Sequence, residues 1–416
     1  MPAPFLLIAF RFPPCDRIGA YRWSKLCGRL ARLGHVIDVL SAPWNEAEDP
    51  GWFGDVQHPN IRIHRVGSLY PHRLRGAQYE RRALQKLHGR AFRWLDRLLP
   101  PHDIASSWGI RLLPAAARLL EARPEPRVVV ATGAPFSANA WAARIALGQR
   151  GVRLIQDFRD PWFSTREEFD ASPRARAFVL ATRAADLLVS VTPEMTELYR
   201  RLSGHRRVAT VPNGVELASI REAGVGVTRQ HDFAYIGNLY NAREAPLERF
   251  LDWVREKRRS GAAPRTVIAG LYPHHLRSQH RDLVEAELLS FHPQLPQRRA
   301  FELVAASRWA LHFNGPGALG TFQTTTKLVE HAALGRPTLS LNYGGATEDF
   351  IRAHDLGWSF RADSAQLFAE LDRCWLDERR FGLRVSEFDF DSTARLYSSL
   401  IDDLARTELD LPTSSG

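Results

Sequence analysis

Thr325, Thr326, Lys327 and Glu330 stand together in the stretch TFQTTTKLVEHAALGRPTLSL, residues 321–341. Lys327 and Glu330 are three residues apart and Thr326 and Glu330 four, so on a helix the trio shares one face. The strand-like run WALHFNG (309–315) precedes them, which predicts a helix starting near Thr325 or Thr326. The first turn of such a helix offers free backbone N–H groups and the positive end of the helix dipole, a combination that favours a phosphate. The threonine hydroxyls add donors and the lysine a full charge. Glu330, one turn or about 5 Å deeper along the axis, is placed for the hydroxyls of a ribose attached to that phosphate. The same residues also make an ordinary capped helix with a surface Lys–Glu pair worth about 0.2–0.5 kcal/mol. Spacing alone leaves both open.

The elements that must hold these residues alternate along the whole chain. FLLIAF (5–10), the helical pattern AYRWSKLCGRLARLGH and VIDVLSAP (36–43) form a strand–helix–strand unit. RVVVAT (127–132), VRLIQDF (152–158), DLLVSV (186–191) and RVATVPNGVE (207–216) continue it, each strand followed by a loop or helix. A second series runs through DFAYIGNLY (232–240), PRTVIAGLY (264–272), WALHFNG and RPTLSLNYGG (336–345). Two helical patterns close the chain, LFAELDRCWLDERRF and STARLYSSLIDDLART. Strands alternating with helices read as α/β, doubly wound parallel sheets. At 416 residues the chain is too long for one ordinary core. Expected are a first domain over 1–216, a second over 217–385, and a closing segment over 386–416 whose helix crosses back to the first domain.

Hydrophobic residues at 44% and charged residues at 25% are the balance of a globular protein. No run of eighteen apolar residues occurs, so no helical span of a membrane is expected. The N-terminus lacks a basic region ahead of its short apolar run, which fits a buried first strand better than a signal peptide. Cys15, Cys27 and Cys374 have no metal-ligand spacing and are odd in number, so a reducing cytoplasm is expected. The net charge of +10 points to an anionic partner. In HRLRGAQYERRALQKLHGRAFRWLDRLL (72–99), basic residues interleave with Leu, Phe and Trp at near-helical spacing. This is the pattern of a helix lying on an anionic membrane through 73–97, or of a solvated helix covering the first sheet.

Five stretches in order carry a resemblance: FPPCDRIGAYRWSKLCGRLARLGHVIDVLSAP, LIQDFRDPW (154–162), AADLLVSVTPEMTELY with the later VPNGVE, FAYIGNLY, and KLVEHAALGRPTLSL. On them the chain resembles the family 4 glycosyltransferases of the GT-B architecture along most of its length. The resemblance implies two Rossmann-like domains facing each other across a cleft and a nucleotide-diphosphate-sugar donor held mainly by the second. It implies that Gly237 lets backbone approach the diphosphate, that Arg243 stands in for the family's phosphate-binding arginine, and that Lys327 with Thr325 and Thr326 binds the diphosphate. Glu330 would take the ribose, the segment from Phe291 to Leu295, with His292, the base, and Gly19, in the first loop, the diphosphate from the other domain. Transfer to an acceptor with retention at the anomeric carbon is implied; the basic 73–97 region and the net charge point to a saccharide or lipid-linked acceptor, in surface polysaccharide or glycolipid synthesis. No Asp-x-Asp motif of the metal-dependent type is recognised, so neither metal nor cofactor is expected.

Two departures stand out. The family often has a glutamate eight residues before the one matched by Glu330, and here that position is Phe322. Many members also carry a histidine after the strand that here reads LIQDFRD; this chain has none there, leaving Asp157, Arg159 and Asp160. Asp160 is a candidate for positioning the acceptor hydroxyl or acting as base, or else a cap of the next helix or a partner of Arg159. A nucleotide-sugar epimerase of the same fold and a non-catalytic nucleotide or nucleic-acid binder are the alternatives; no recognised nucleic-acid module supports the latter.

Overall fold

The computed structural model describes residues 2–15, 18–44, 52–68, 103–123, 127–317, 322 and 324–406. The basic segment 73–97 lies outside them. Contacts divide the chain into two units, Met1–Asn213 with Phe390–Gly416, and Gly214–Asp389.

The first unit is built on a seven-stranded parallel sheet in the order β3-β2-β1-β4-β5-β6-β7. Its strands are β1 (Phe5–Ala9), β2 (Ile37–Ser41), β3 (Ile61–Arg65), β4 (Arg127–Gly133), β5 (Val152–Phe158), β6 (Leu187–Ser190) and β7 (Val208–Thr210). β1 lies between β2 and β4, with Phe5 opposite both Ile37 and Val128. Because side chains alternate along a strand, each strand feeds two cores. Phe5, Leu7 and Ala9 join one cluster, with Trp23, Leu26 and Leu30 of the helix Ile18–Arg32. Leu6, Ile8 and Phe10 join the other, with Trp108, Leu112 and Trp141. The first cluster also takes in Phe390, Ala394, Tyr397, Ile401 and Leu404. These are one stripe of the last helix, Phe390–Arg406, which therefore closes one face of the first sheet.

The second unit has a six-stranded parallel sheet, β10-β9-β8-β11-β12-β13. Its strands are β8 (His231–Asn238), β9 (Thr266–Leu271), β10 (Leu289–His292), β11 (Ser307–Phe313), β12 (Thr338–Asn342) and β13 (Gly357–Arg361). Apolar clusters cover both faces here too. In both sheets the strand order reverses beside the first strand, at β1/β4 and at β8/β11. Open α/β sheets bind ligands at the carboxyl ends of the strands at such a point.

Three strands were not expected from the sequence: β3, β10 and β13. Each is a sheet edge. β3 and β13 hold no fully buried residue, and in β10 only Leu289 and Phe291 are buried.

Candidate active site

Gly237 is the next-to-last residue of β8, and the helix Thr326–Ala333 follows β11, so both flank the switch point of the second sheet. The helix begins as the sequence predicts. Thr325 is its N-cap, in extended backbone conformation, and its hydroxyl accepts from Lys327 N at 3.3 Å. That uses one of the free N–H groups of the first turn and leaves the others pointing out of the helix.

Lys327 and Glu330 are not a surface ion pair. Both are half-buried, and among the described residues no carboxylate lies within ion-pair distance of Lys327. Its ammonium lies instead over Gly237: a Cβ built on that glycine would come within 1.9 Å of Lys327 Nζ. Gly237 has φ +125°, a conformation that side chains strongly disfavour, and the missing side chain is the space the lysine uses. The resemblance implies that Gly237 lets backbone approach the diphosphate; in the structure the space of its missing side chain holds the Lys327 ammonium. The ammonium also sits 5.4 Å from the centroid of the Tyr235 ring. Burial, followed by the nearby Arg243, lowers its pKa from 10.5 to about 8, while Glu330 acts in the opposite sense. Burial pushes the Glu330 carboxyl up, partly offset by Lys327 and by a hydrogen bond with the Thr326 side chain.

Arg243 closes the other side. Its Nη1 donates to the Asn238 carbonyl at 3.0 Å, and it too has no carboxylate partner among the described residues. Two histidines that the sequence reading passed over lie beneath these cations. His312, on β11, has Nδ1 3.0 Å from Ser340 Oγ, and His331 has Nδ1 3.1 Å from Thr338 Oγ1. Both are buried. Burial first, then neighbouring positive charge, holds His312 well below the usual range and His331 at about 3, so both are neutral. The result is two cations with no carboxylate in ion-pair distance among the described residues, at a helix start beside two neutral histidines, an arrangement whose chemistry suits a polyanion.

The residues expected at the base divide. Phe291 is only 6% exposed and packs on Tyr272 at 5.0 Å, so it belongs to the core. His292 is exposed at the end of β10, opposite Ala269 of β9, which in turn pairs with Ile236. His292 thus lies two strands from the Gly237 loop, about 10 Å away, at the same end of the sheet. Leu295 is half-buried against the second unit's core. Phe322 is half-buried.

In the first unit the three polar candidates have separate fates. Asp157 is fully buried and its carboxylate is spent. Trp23 Nε1 donates to it at 2.8 Å and Thr132 Oγ1 at 2.9 Å, the Tyr397 hydroxyl donates to its other oxygen, and Arg22 lies 3.7 Å away. Burial and then the Asp157 charge push the Tyr397 hydroxyl well above its ordinary range. Arg159 Nε donates to the Gly133 carbonyl at 3.1 Å, at the carboxyl end of β4. Its guanidinium also lies against Gly19, where a Cβ would meet Nη2 at 3.2 Å. Gly19 is in the first turn of the helix Ile18–Arg32, not in a loop as expected. Asp160 does not cap the next helix, since Thr165 does, accepting from Glu168 N at 3.0 Å. The chain does contain one Asp-x-Asp spacing, Asp389-Phe390-Asp391, but Asp389 accepts from Leu217 N and Asp391 pairs with Arg29 at 2.9 Å.

Residues 19–214 match the family described as "Glycosyl transferase 4-like domain". Curated protein sequences return no match. Among solved structures, sucrose-phosphate synthase from Thermosynechococcus elongatus is similar, with TM-score 0.64 and 13% identity over 97% of this chain and 99% of that one. The catalytic domain of starch synthase IV from Arabidopsis thaliana, bound to ADP and acarbose, gives TM-score 0.60 and 10% identity over 98% and 100%. UDP-GlcNAc 2-epimerase from Methanocaldococcus jannaschii gives 0.56 and 12% over 96% and 99%. At these identities the likeness is one of fold. Residues 19–214 thus carry a glycosyl transferase 4-like domain, and the two Rossmann-like parallel sheets give the chain the GT-B fold of these structures.

Proposed function

We propose that the chain transfers a glycosyl group from a nucleotide-diphosphate sugar to a saccharide or lipid-linked acceptor in surface polysaccharide or glycolipid synthesis. The observation that carries this reading is the uncompensated pair Lys327 and Arg243 at the start of the helix Thr326–Ala333. In the transfer, the bond from the anomeric carbon to the diphosphate oxygen breaks and its electron pair leaves with the diphosphate. The acceptor oxygen forms the new bond and loses its proton to a base. Positive charge fixed where the diphosphate leaves stabilises that charge as it develops, because the donors need no reorganisation. Lys327, Arg243 and the N–H groups after Thr325 fill that role here, without a metal. Thr325 and Thr326 join them at the diphosphate, Glu330 is assigned to the ribose, His292 and Leu295 to the base, and Gly19 to the diphosphate from the first unit. Asp160 and Arg159 are assigned to the acceptor hydroxyl, and retention of configuration is the expected outcome.

The test is thermal denaturation with UDP-, GDP-, dTDP- and ADP-linked sugars. A ligand at about 100 times its dissociation constant adds roughly 2.7 kcal/mol of stability. Lys327→Ala and Glu330→Ala should lose most of that gain, and full stabilisation of both variants would remove the site. The likeness to an epimerase favours one second reading, conversion of donor with no acceptor present. An NMR time course on donor alone distinguishes the two: a new sugar without acceptor is epimerisation.

A further inference from the structure

We infer that Tyr235 is the positioning residue for both cations of the donor site, holding Lys327 through its ring and Arg243 through a shared carbonyl. The inference deepens the proposed function and rests on it only for the identity of the anion these cations meet.

Tyr235 is on β8, two residues before Gly237 and so on the same face of the strand. It is 2% exposed, and its ring stacks on Phe313 at 5.3 Å with an interplanar angle of 26°. The ring is therefore fixed by packing before any ligand arrives. Lys327 Nζ lies over it, and the electron-rich face of an aromatic ring attracts an ammonium without neutralising it. A carboxylate in that place would hold the lysine as firmly but would cancel the charge an incoming diphosphate needs. The hydroxyl of the same residue donates to the Asn238 carbonyl at 2.9 Å, and Arg243 donates to that carbonyl at 3.0 Å. A carbonyl has two lone pairs and takes both donors. Asn238 is itself held in its turn, its Oδ1 accepting from Tyr240 N at 2.8 Å. One buried side chain thus ties down the two cations by two separate devices. The other titratable groups around Lys327 are Arg243, Glu330 and the neutral His312 and His331.

The experiment measures ADP affinity by calorimetry in the full chain for Tyr235→Leu and Tyr235→Phe, each also combined with Lys327→Met or Arg243→Met. Tyr235→Leu should weaken ADP by about ten-fold, the size of a desolvated cation–ring contact. When Lys327 is already Met that loss should shrink to the size of the Tyr235→Phe loss, because only the ring acts together with the ammonium. Tyr235→Phe keeps the ring, so its smaller loss should vanish only with Arg243→Met. A merely structural role would lower affinity equally on every background, and that result overturns the inference. Crystal structures of the variants without nucleotide give a readout independent of ADP: Lys327 Nζ should leave its place over Gly237 in Tyr235→Leu and keep it in Tyr235→Phe. An ammonium that stays there in both also overturns the inference. If ADP fails to bind the unaltered protein, the donor reading falls, while the position of Nζ still decides the role of Tyr235. Tyr235→Met replaces Tyr235→Leu should the latter not fold.

Discussion

Lys327 is the residue at which stability and function pull against each other. In an unfolded chain a lysine loses its proton near 10.4. Here burial, with Arg243 adding to it, brings that down to about 8. Between about 8 and 10.5 the unfolded chain therefore holds a proton the folded one has released, and the free energy of unfolding rises with pH through that window. Below pH 8 the folded protein carries the full cost of a buried charge with no carboxylate in ion-pair contact among the described residues. Lys327→Met should be more stable than the unaltered protein at pH 7, by up to about 3 kcal/mol, with the gain fading towards pH 10.5. Urea denaturation at pH 7 and pH 10 measures it, and an equal gain at both would place the effect in packing instead. Sequence spacing put the helix start near Thr325 or Thr326, and the helix does begin at Thr326 with Thr325 as its cap. It did not show that the Lys327 ammonium lies over Gly237, because that contact joins a helix start to a strand end 90 residues away (327 against 237). Tyr235 was in view beside Gly237, and period-2 alternation would have placed both on one face.

Among the elements, the last helix depends on a buried polar anchor as well as its apolar stripe. Tyr397 reaches Asp157, while Arg22 donates to the carbonyls of Val211 and Pro212 and to Asn213 Oδ1, where the first unit's chain ends. Tyr397→Phe removes one donor from a fully buried carboxylate and should cost about 1–3 kcal/mol, the range for a buried acceptor left short of a partner. Asp391→Asn, at the solvent-facing ion pair with Arg29, should cost under about 1 kcal/mol. Urea midpoints of the two variants check the order, and the reverse order would make the ion pair the real anchor. Central strands such as β1 and β4 were legible because they are buried on both faces and read as unbroken apolar runs. The edges β3, β10 and β13 escaped because Arg, His and Ser interrupt them: IRIHR, LSFH and GWSFR. Their pairing comes from a neighbour, not from their own pattern.

At the scale of the whole molecule, the two units differ in how the chain supplies them. Gly214–Asp389 is one continuous stretch with its own sheet and two apolar clusters. The first unit is discontinuous, and its core includes Phe390, Tyr397, Ile401 and Leu404 from the far end of the chain. A fragment of residues 214–389 should therefore unfold cooperatively on its own and bind ADP within about ten-fold of the full chain. Residues 1–213 alone should fail to fold cooperatively until 390–416 is supplied in trans. Circular dichroism during heating checks both, and a cooperative 1–213 fragment would show that the last helix is dispensable.

Composition and periodicity by themselves determined the α/β class, the alternation of the central strands, and the helix start at Thr325. These are local properties, set by residue type and by neighbours within one turn or one strand. The tertiary structure alone decided which polar residues are spent and which are free to act. Asp157 looked available and is consumed by Trp23, Thr132 and Tyr397; Lys327, for which spacing left an ion pair with Glu330 open, has no carboxylate in ion-pair distance among the described residues. Whether a charge is neutralised depends on what other segments bring within about 4 Å of it, and that is fixed only when the sheets assemble.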